Sequence, residues 1–186
     1  MSISVIFTWL AAHLDLVAPL IFSLAIAGID MRTRRIPNYL TFTCAAGGLG
    51  FQAGVHGWAG LGDGVLGLLL GLLLLMLPYL KGGMGAGDVK GLAALGAWLG
   101  PGRTFSLFIF VGLSGGLLIV AVLWWRGVLW AKVREAWASL VSWILWRQPL
   151  LEPISPSGED RARIPYGAAL ALGMAILCWH GPLKIF

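Results

Sequence analysis

Two aspartates, Asp30 and Asp88, are the residues of this 186-residue chain whose type and setting point to chemistry. Asp88 sits in GGMGAGDVKG, residues 82 to 91, where five glycines surround one Asp and one Lys between two apolar runs. Asp30 ends another apolar run and is followed by Arg32, Arg34 and Arg35. Two carboxyls held close together cannot both ionise easily, so they share a proton and titrate as a coupled pair. One is then a base and the other an acid. The ionised carboxylate takes a proton from water as that water attacks a peptide carbonyl, and the protonated one donates to the developing oxyanion, a proton passing later from the pair to the leaving amine. This is peptide-bond hydrolysis that calls for neither a metal nor a covalent intermediate. Gly85 and Gly87 beside Asp88 would let an extended strand approach and supply φ values closed to other residues. Lys90 follows Asp88 by two positions, so on a regular helix it lies off the Asp88 face and reads as a tuning charge or headgroup anchor.

Elements able to bring these two residues together must be built for lipid. The chain is 59% hydrophobic and 11% charged, with a mean hydropathy of +0.87, which is far too apolar for an ordinary water-soluble domain. Several runs approach the roughly 20 apolar residues a helix needs to cross about 30 Å of hydrocarbon, and no period-2 alternation suggests a barrel. The expected fold is therefore all-α, a polytopic membrane helical bundle in a single domain over residues 1–186. Six spans are predicted, at about 14–29, 38–55, 60–80, 88–100, 104–126 and 164–180, with Pro37, Pro101 and Pro165 at or beside helix ends. No removable signal peptide is read at the N-terminus, so the first helix is expected to stay.

Basic residues favour the cytoplasmic side of short loops. With the loop from Arg32 to Arg35 inside, all of the 13 Lys and Arg except Arg103 and Lys184 collect on that side, and both termini face the exterior. The net charge of +5 thus reflects orientation in a membrane, and a nucleic-acid surface has no support. Asp15, Asp63, His13 and His56 fall near the outer side, whereas Glu135, Glu152, Glu159 and Asp160 belong to inner interfacial or loop regions. Asp30 and Asp88 both reach the inner boundary despite their separation in sequence. The run from Asp88 to Gly100 covers only about 20 Å at 1.5 Å per residue, so Asp88 and its glycine loop are expected below the inner surface. Irregular backbone at such a depth must be packed in protein or line a wet cavity, and an ionisable group there is a functional candidate by default.

Between the fifth and sixth spans, at about 127–150, Lys132, Glu135, Ser139 and Ser142 share one helix face while Trp130, Val133, Trp137, Leu140, Val141 and Ile144 take the other. That pattern predicts an amphipathic helix in the cytoplasmic interface, with a seventh span as the alternative. Arg-Ile-Pro occurs twice, at 35–37 and 163–165, each time opening an outward-going helix. Cys44 and Cys178 fall at different depths, so neither a zinc site nor a disulfide between them is expected.

On these residues the chain resembles the type IV prepilin peptidases. GMGAGDVKG is similar to their GxGDxK element, here Gly85, Gly87, Asp88 and Lys90; DMRTRRIPNYLT, from Asp30 to Thr41, resembles the segment holding their first catalytic Asp; RIPYGAALALG, from Arg163 to Gly173, resembles their last helix. The resemblance implies an aspartic membrane endopeptidase without a cofactor. It would cut the short basic leader from prepilins or pseudopilins at the cytoplasmic face of the inner membrane, with Asp30 and Asp88 as the catalytic pair. Its partners would be that leader, the hydrophobic helix behind it and membrane lipids. The longer family members carry an N-terminal cytoplasmic region with paired CxxC motifs and also N-methylate the new terminus; this chain begins almost at its first span, which counts against methylation. Its short form is similar to the peptidases of Flp (tight-adherence) pilus systems and of archaeal preflagellins.

Two other readings compete. Gly112, Leu113, Ser114 and Gly115 match the GxSG of rhomboid serine proteases, with His180 as a nominal base, but Ser114 falls mid-bilayer and His180 near the outer surface. In a small transporter or assembly subunit, each Asp would be only an interface residue. That reading leaves unexplained why both converge with a glycine loop.

Overall fold

The computed structural model describes residues 14–33, 35–146 and 166–183. His13, Lys184, the loop at 147–165 and its second Arg-Ile-Pro lie outside them. Among the described residues there are five helices and no strands: α1 (Leu14–Thr33), α2 (Asn38–Leu80), α3 (Ala86–Trp125), α4 (Leu129–Trp146) and α5 (Tyr166–His180). α1, α2 and α3 are long and apolar enough to cross a membrane, and α5 is a shorter apolar helix.

α2 and α3 are each broken once, by a glycine. Gly57 has φ 64° and ψ −148°, and Gly100 has φ 70° and ψ 175°. The backbone folds back at both. A Cβ on Gly64 would lie 3.1 Å from Leu49 Cδ2, although fifteen residues of straight helix would separate those positions by about 22 Å. Likewise a Cβ on Gly96 would lie 3.2 Å from Thr104 Cγ2. The sequence reading expected short loops at these two places. Instead each reversal is made within a turn by a residue that pays no Cβ penalty at positive φ, and Pro101 follows where its missing N–H is cheap.

The chain divides into two compact units, residues 1–115 with 165–186, and residues 116–164. In the first, the arm of α3 before Gly100 is the core: every residue from Gly91 to Gly100 is buried. The arm of α2 after Gly57 packs on it through glycines. Gly64, Gly67, Gly71 and Leu75 are buried at helical spacing, while Leu66, Leu69, Leu73 and Leu77 are exposed. Small residues facing protein and leucines facing outward is the pattern of a helix solvated by lipid, because in lipid association comes from close packing rather than from hiding apolar surface. A Cβ on Gly67 would collide with the Gly96 carbonyl oxygen, and one on Gly71 would come within 2.8 Å of Ala93 Cα. Trp98 is buried on the same arm of α3. Its indole N–H donates to the Cys44 carbonyl at 2.8 Å, its ring stacks on Phe51 at 5.4 Å, and Gln52 donates to the Trp98 carbonyl at 2.8 Å, close to the break at Gly100.

In the second unit, α3 ends in a Schellman motif, with Gly127 at φ 68° and bonds from Gly127 N to Trp124 O and from Val128 N to Leu123 O. α4 then runs over the stretch read as an amphipathic helix. Its Lys132 and Glu135 pair at 2.8 Å on the expected polar face, in exposed positions.

Gly67→Ala should destabilise the protein by about 2 kcal/mol through overpacking, whereas Gly50→Ala, whose Cβ meets nothing within 4 Å, should be neutral or stabilising by about 0.5 kcal/mol. Thermal unfolding of the full chain in detergent checks both.

Candidate active site

The loop that carries Asp88 is built from two helix ends. α2 closes in a second Schellman motif: Gly82 has φ 71°, its N–H bonds Tyr79 O at 2.9 Å, and Gly83 N bonds Pro78 O at 3.0 Å. Three residues on, α3 begins at Ala86. Asp88 is the third residue of that helix, and its Oδ2 accepts the Gly85 N–H at 3.1 Å. That is the reciprocal half of a capping box. It fixes the carboxylate over the amide end of α3, where unpaired N–H groups and the helix dipole favour negative charge.

Gly87 serves packing. A Cβ there would lie 3.0 Å from Ile36 Cβ and 3.5 Å from Ile36 N, so only a bare backbone lets the segment joining α1 to α2 approach this closely. Gly85 has just the Asp88 carboxylate near it and is exposed. Lys90, which the sequence left as a tuning charge or anchor, donates from Nζ to Asn38 Oδ1 at 3.0 Å. It ties the start of α3 to the start of α2. The partner lies in the Ile-Pro-Asn that follows the arginines, a signal visible in the sequence but readable only once the two segments meet.

Asp30 begins the last turn of α1 and is 7% exposed. Its Oδ2 accepts the Gly167 N–H at 2.9 Å in a buried contact. Gly167 is the second residue of α5, so Asp30 caps the amide end of a helix 137 residues away. The approach demands glycine: a Cβ on Gly167 would lie 2.9 Å from both Asp30 Cβ and Ala27 Cα. One turn further along α5, Leu170 Cδ2 would be 3.6 Å from a Cβ on Gly91 of α3, whose other neighbour is Ile36 Cδ1. The start of α5 thus touches both the helix of Asp30 and the helix of Asp88. The two carboxyls lie within range of each other's charge, and Tyr166 lies within range of that of Asp88. Sequence reasoning nominated both aspartates but not Gly167 or Tyr166, because nothing local marks a backbone amide as a partner.

On each aspartate Oδ2 holds a backbone N–H, which leaves Oδ1 without a partner among the described residues. Two free carboxylate oxygens at one end of the bundle can bind a water, pass a proton and face a substrate carbonyl. No group of three or more His, Cys, Asp or Glu suited to a metal occurs among the described residues. The competing serine constellation does not assemble. Ser114 donates to the Ala169 carbonyl at 2.9 Å and is 5% exposed. His180 is eleven residues along α5 from Ala169, about 16 Å of helix rise.

The Lys90–Asn38 hydrogen bond should contribute about 1 kcal/mol. Lys90→Met and Asn38→Ala should each lower thermal stability and speed amide exchange over residues 82–90, and the double variant should be no worse than either. Additive losses would mean the two side chains act separately.

The type IV leader peptidase family matches residues 17–120, a stretch that contains both aspartates. The chain is 38% identical over 114 residues to the prepilin leader peptidase/N-methyltransferase of Pectobacterium carotovorum subsp. carotovorum, covering 58% of this chain and 39% of that protein. It is 43% identical over 83 residues to the protein of that name from Aeromonas hydrophila, 41% of this chain and 28% of that one. With the one from Escherichia coli (strain K12) it shares 34% identity over 132 residues, 66% of this chain and 58% of that one. The chain therefore spans only part of the length of each relative. No solved structure matches it significantly. Its long apolar helices make it an integral membrane protein, and the match across more than half of its length means that it belongs to the type IV leader peptidase family.

Proposed function

We propose that the chain is an aspartic endopeptidase that removes the short basic leader of prepilin-like proteins, with Asp30 and Asp88 as its catalytic pair. The observation that supports this most is the convergence of the two carboxyls on the start of α5, in a chain of the leader peptidase family. A water held between the free Oδ1 atoms loses a proton to the ionised aspartate as its oxygen attacks the scissile carbonyl carbon. The protonated aspartate donates to the carbonyl oxygen; as the tetrahedral intermediate collapses, the aspartate that took the water's proton passes it to the departing amine, and the hydroxyl that becomes the new carbonyl returns its proton to the other aspartate. The pair ends with one proton shared between two carboxyls, as it began, so it is ready for the next water. Fixing Oδ2 of each aspartate by a backbone N–H keeps both in place without spending the oxygens the reaction needs.

The substrate in this reading is a hydrophobic N-terminal helix lying beside the bundle, its leader emerging at the end where the aspartates sit. That end faces the cytoplasm of a cell whose inner membrane holds the protein with both termini outside, by the distribution of Lys and Arg. Six crossings follow if each fold-back of α2 and α3 returns the chain through the bilayer, and α4 then lies in the cytoplasmic interface. Methylation of the new terminus is no part of the proposal, because the two carboxyls on which it rests supply only hydrolysis.

Co-expression with a prepilin and N-terminal sequencing of the product identifies the bond cut and any methyl group together. Asp30→Asn and Asp88→Asn should each lower cleavage by about a thousandfold while the protein still inserts, and Ser114→Ala should retain it. Full cleavage in either Asn variant would remove the pair as the catalytic unit.

A further inference from the structure

The described residues of the first unit line an open cleft of about 470 Å³ that lies away from Asp30 and Asp88. Its lining includes Asp15 of α1, Gln52, His56 and Asp63 around the α2 reversal, and Trp98 and Arg103 around the α3 reversal. Asp15 and Asp30 are fifteen residues apart on α1, so about 22 Å of helix rise separates the cavity from the candidate active site. The proposed reaction uses none of these six side chains.

The charge in the cavity is unbalanced. Arg103 Nη1 meets Asp15 Oδ2 at 2.6 Å, which neutralises one carboxylate. Asp63 and His56, both exposed at the mouth of the cleft, have neither a hydrogen bond nor an ion pair among the described residues. The Gln52 amide nitrogen is committed to the Trp98 carbonyl, which leaves its own carbonyl oxygen as an acceptor. Arg103 uses one of its five N–H donors on Asp15, so the guanidinium can accept a second anion through the rest. The cleft therefore offers a carboxylate without a partner among the described residues and a spare acceptor for an N–H-bearing cation, next to a guanidinium able to hold an oxyanion. A single small group with an ammonium and a phosphate satisfies both ends.

Position narrows the source. The cavity sits where α2 and α3 both reverse, at one end of helices whose outward faces are leucine-rich, and Trp58 beside it is 88% exposed. Exposed Trp at such a level marks the headgroup zone of a bilayer. We propose that this cavity is a binding site for a phosphoethanolamine group, supplied by a zwitterionic phospholipid whose chains run down the exposed apolar faces. Asp63 takes the ammonium and Arg103 the phosphate. A headgroup seated there links α1 to both reversals, because Asp15, Asp63 and Arg103 come from three different helices.

The test uses the full chain, freed of lipid in detergent and titrated with phosphatidylethanolamine, phosphatidylglycerol or soluble glycerophosphoethanolamine, with thermal unfolding as the readout. Phosphatidylethanolamine should raise the melting temperature above the phosphatidylglycerol value, and Asp63→Asn should weaken that effect at least about tenfold in lipid concentration. Asp63→Glu should restore it. Stabilisation by the lipid alone assigns the source to the bilayer, while equal stabilisation by glycerophosphoethanolamine assigns a soluble ligand of the same chemistry. Equal effects of the two phospholipids on the wild-type chain would overturn the proposal, and so would an unchanged preference in Asp63→Asn. Should the Asn variant fail to fold, the wild-type contrast between headgroups decides.

Discussion

The contact on which the candidate site depends is a single buried hydrogen bond, from the Gly167 amide to the Asp30 carboxylate. It joins the first helix to the last. A carboxylate is costly to bury without a partner, and a helix start leaves amides that must find one. Each feature answers the need of the other. Because α5 is fixed on α1 by this bond, its next turn is fixed against Gly91, and with it the first turn of α3 that carries Asp88. Glycine at 167 is what allows α1 and α5 to meet this closely.

Both aspartates end up at the amide ends of helices, Asp30 across a long sequence separation and Asp88 within its own first turn. Backbone amides are rigid and cannot titrate, so they hold a carboxylate in place without changing charge themselves. A Lys or Arg in the same role would neutralise the pair and remove the proton sharing on which the proposed reaction rests. Lys90, the cation nearest Asp88 in sequence, is directed elsewhere: its hydrogen bond to Asn38 ties the Asp88 helix to the start of α2. The positive charge near the site thus serves position.

Much of this was legible in the sequence, for identifiable reasons. Lipid as solvent leaves long apolar runs, so the helical class follows from composition, and Asp30 and Asp88 stand out as carboxylates at the ends of such runs. How the chain turns was less legible. Gly57 and Gly100 look like several other glycines in their runs, and only the folded backbone distinguishes a glycine at positive φ from one that makes room for a neighbour, such as Gly67. The partners of Lys90 and Asp30 escaped for a related reason: Asn38 and the Gly167 amide are ordinary until the bundle brings them into reach. Likewise Asp15, His56, Asp63 and Arg103 each read as residues near one surface, and nothing in their spacing announced that two reversals would gather them around one cavity.

The central claim is that Asp30 and Asp88 act as one unit sharing a proton. The pH dependence of prepilin cleavage by the purified full chain in lipid nanodiscs tests it most directly, at saturating substrate and over a range in which the protein stays folded. A pair with one ionised and one protonated member gives a bell, with one limb set by loss of the base and the other by loss of the acid. A single-limbed curve, rising to a plateau as one base deprotonates, would contradict it.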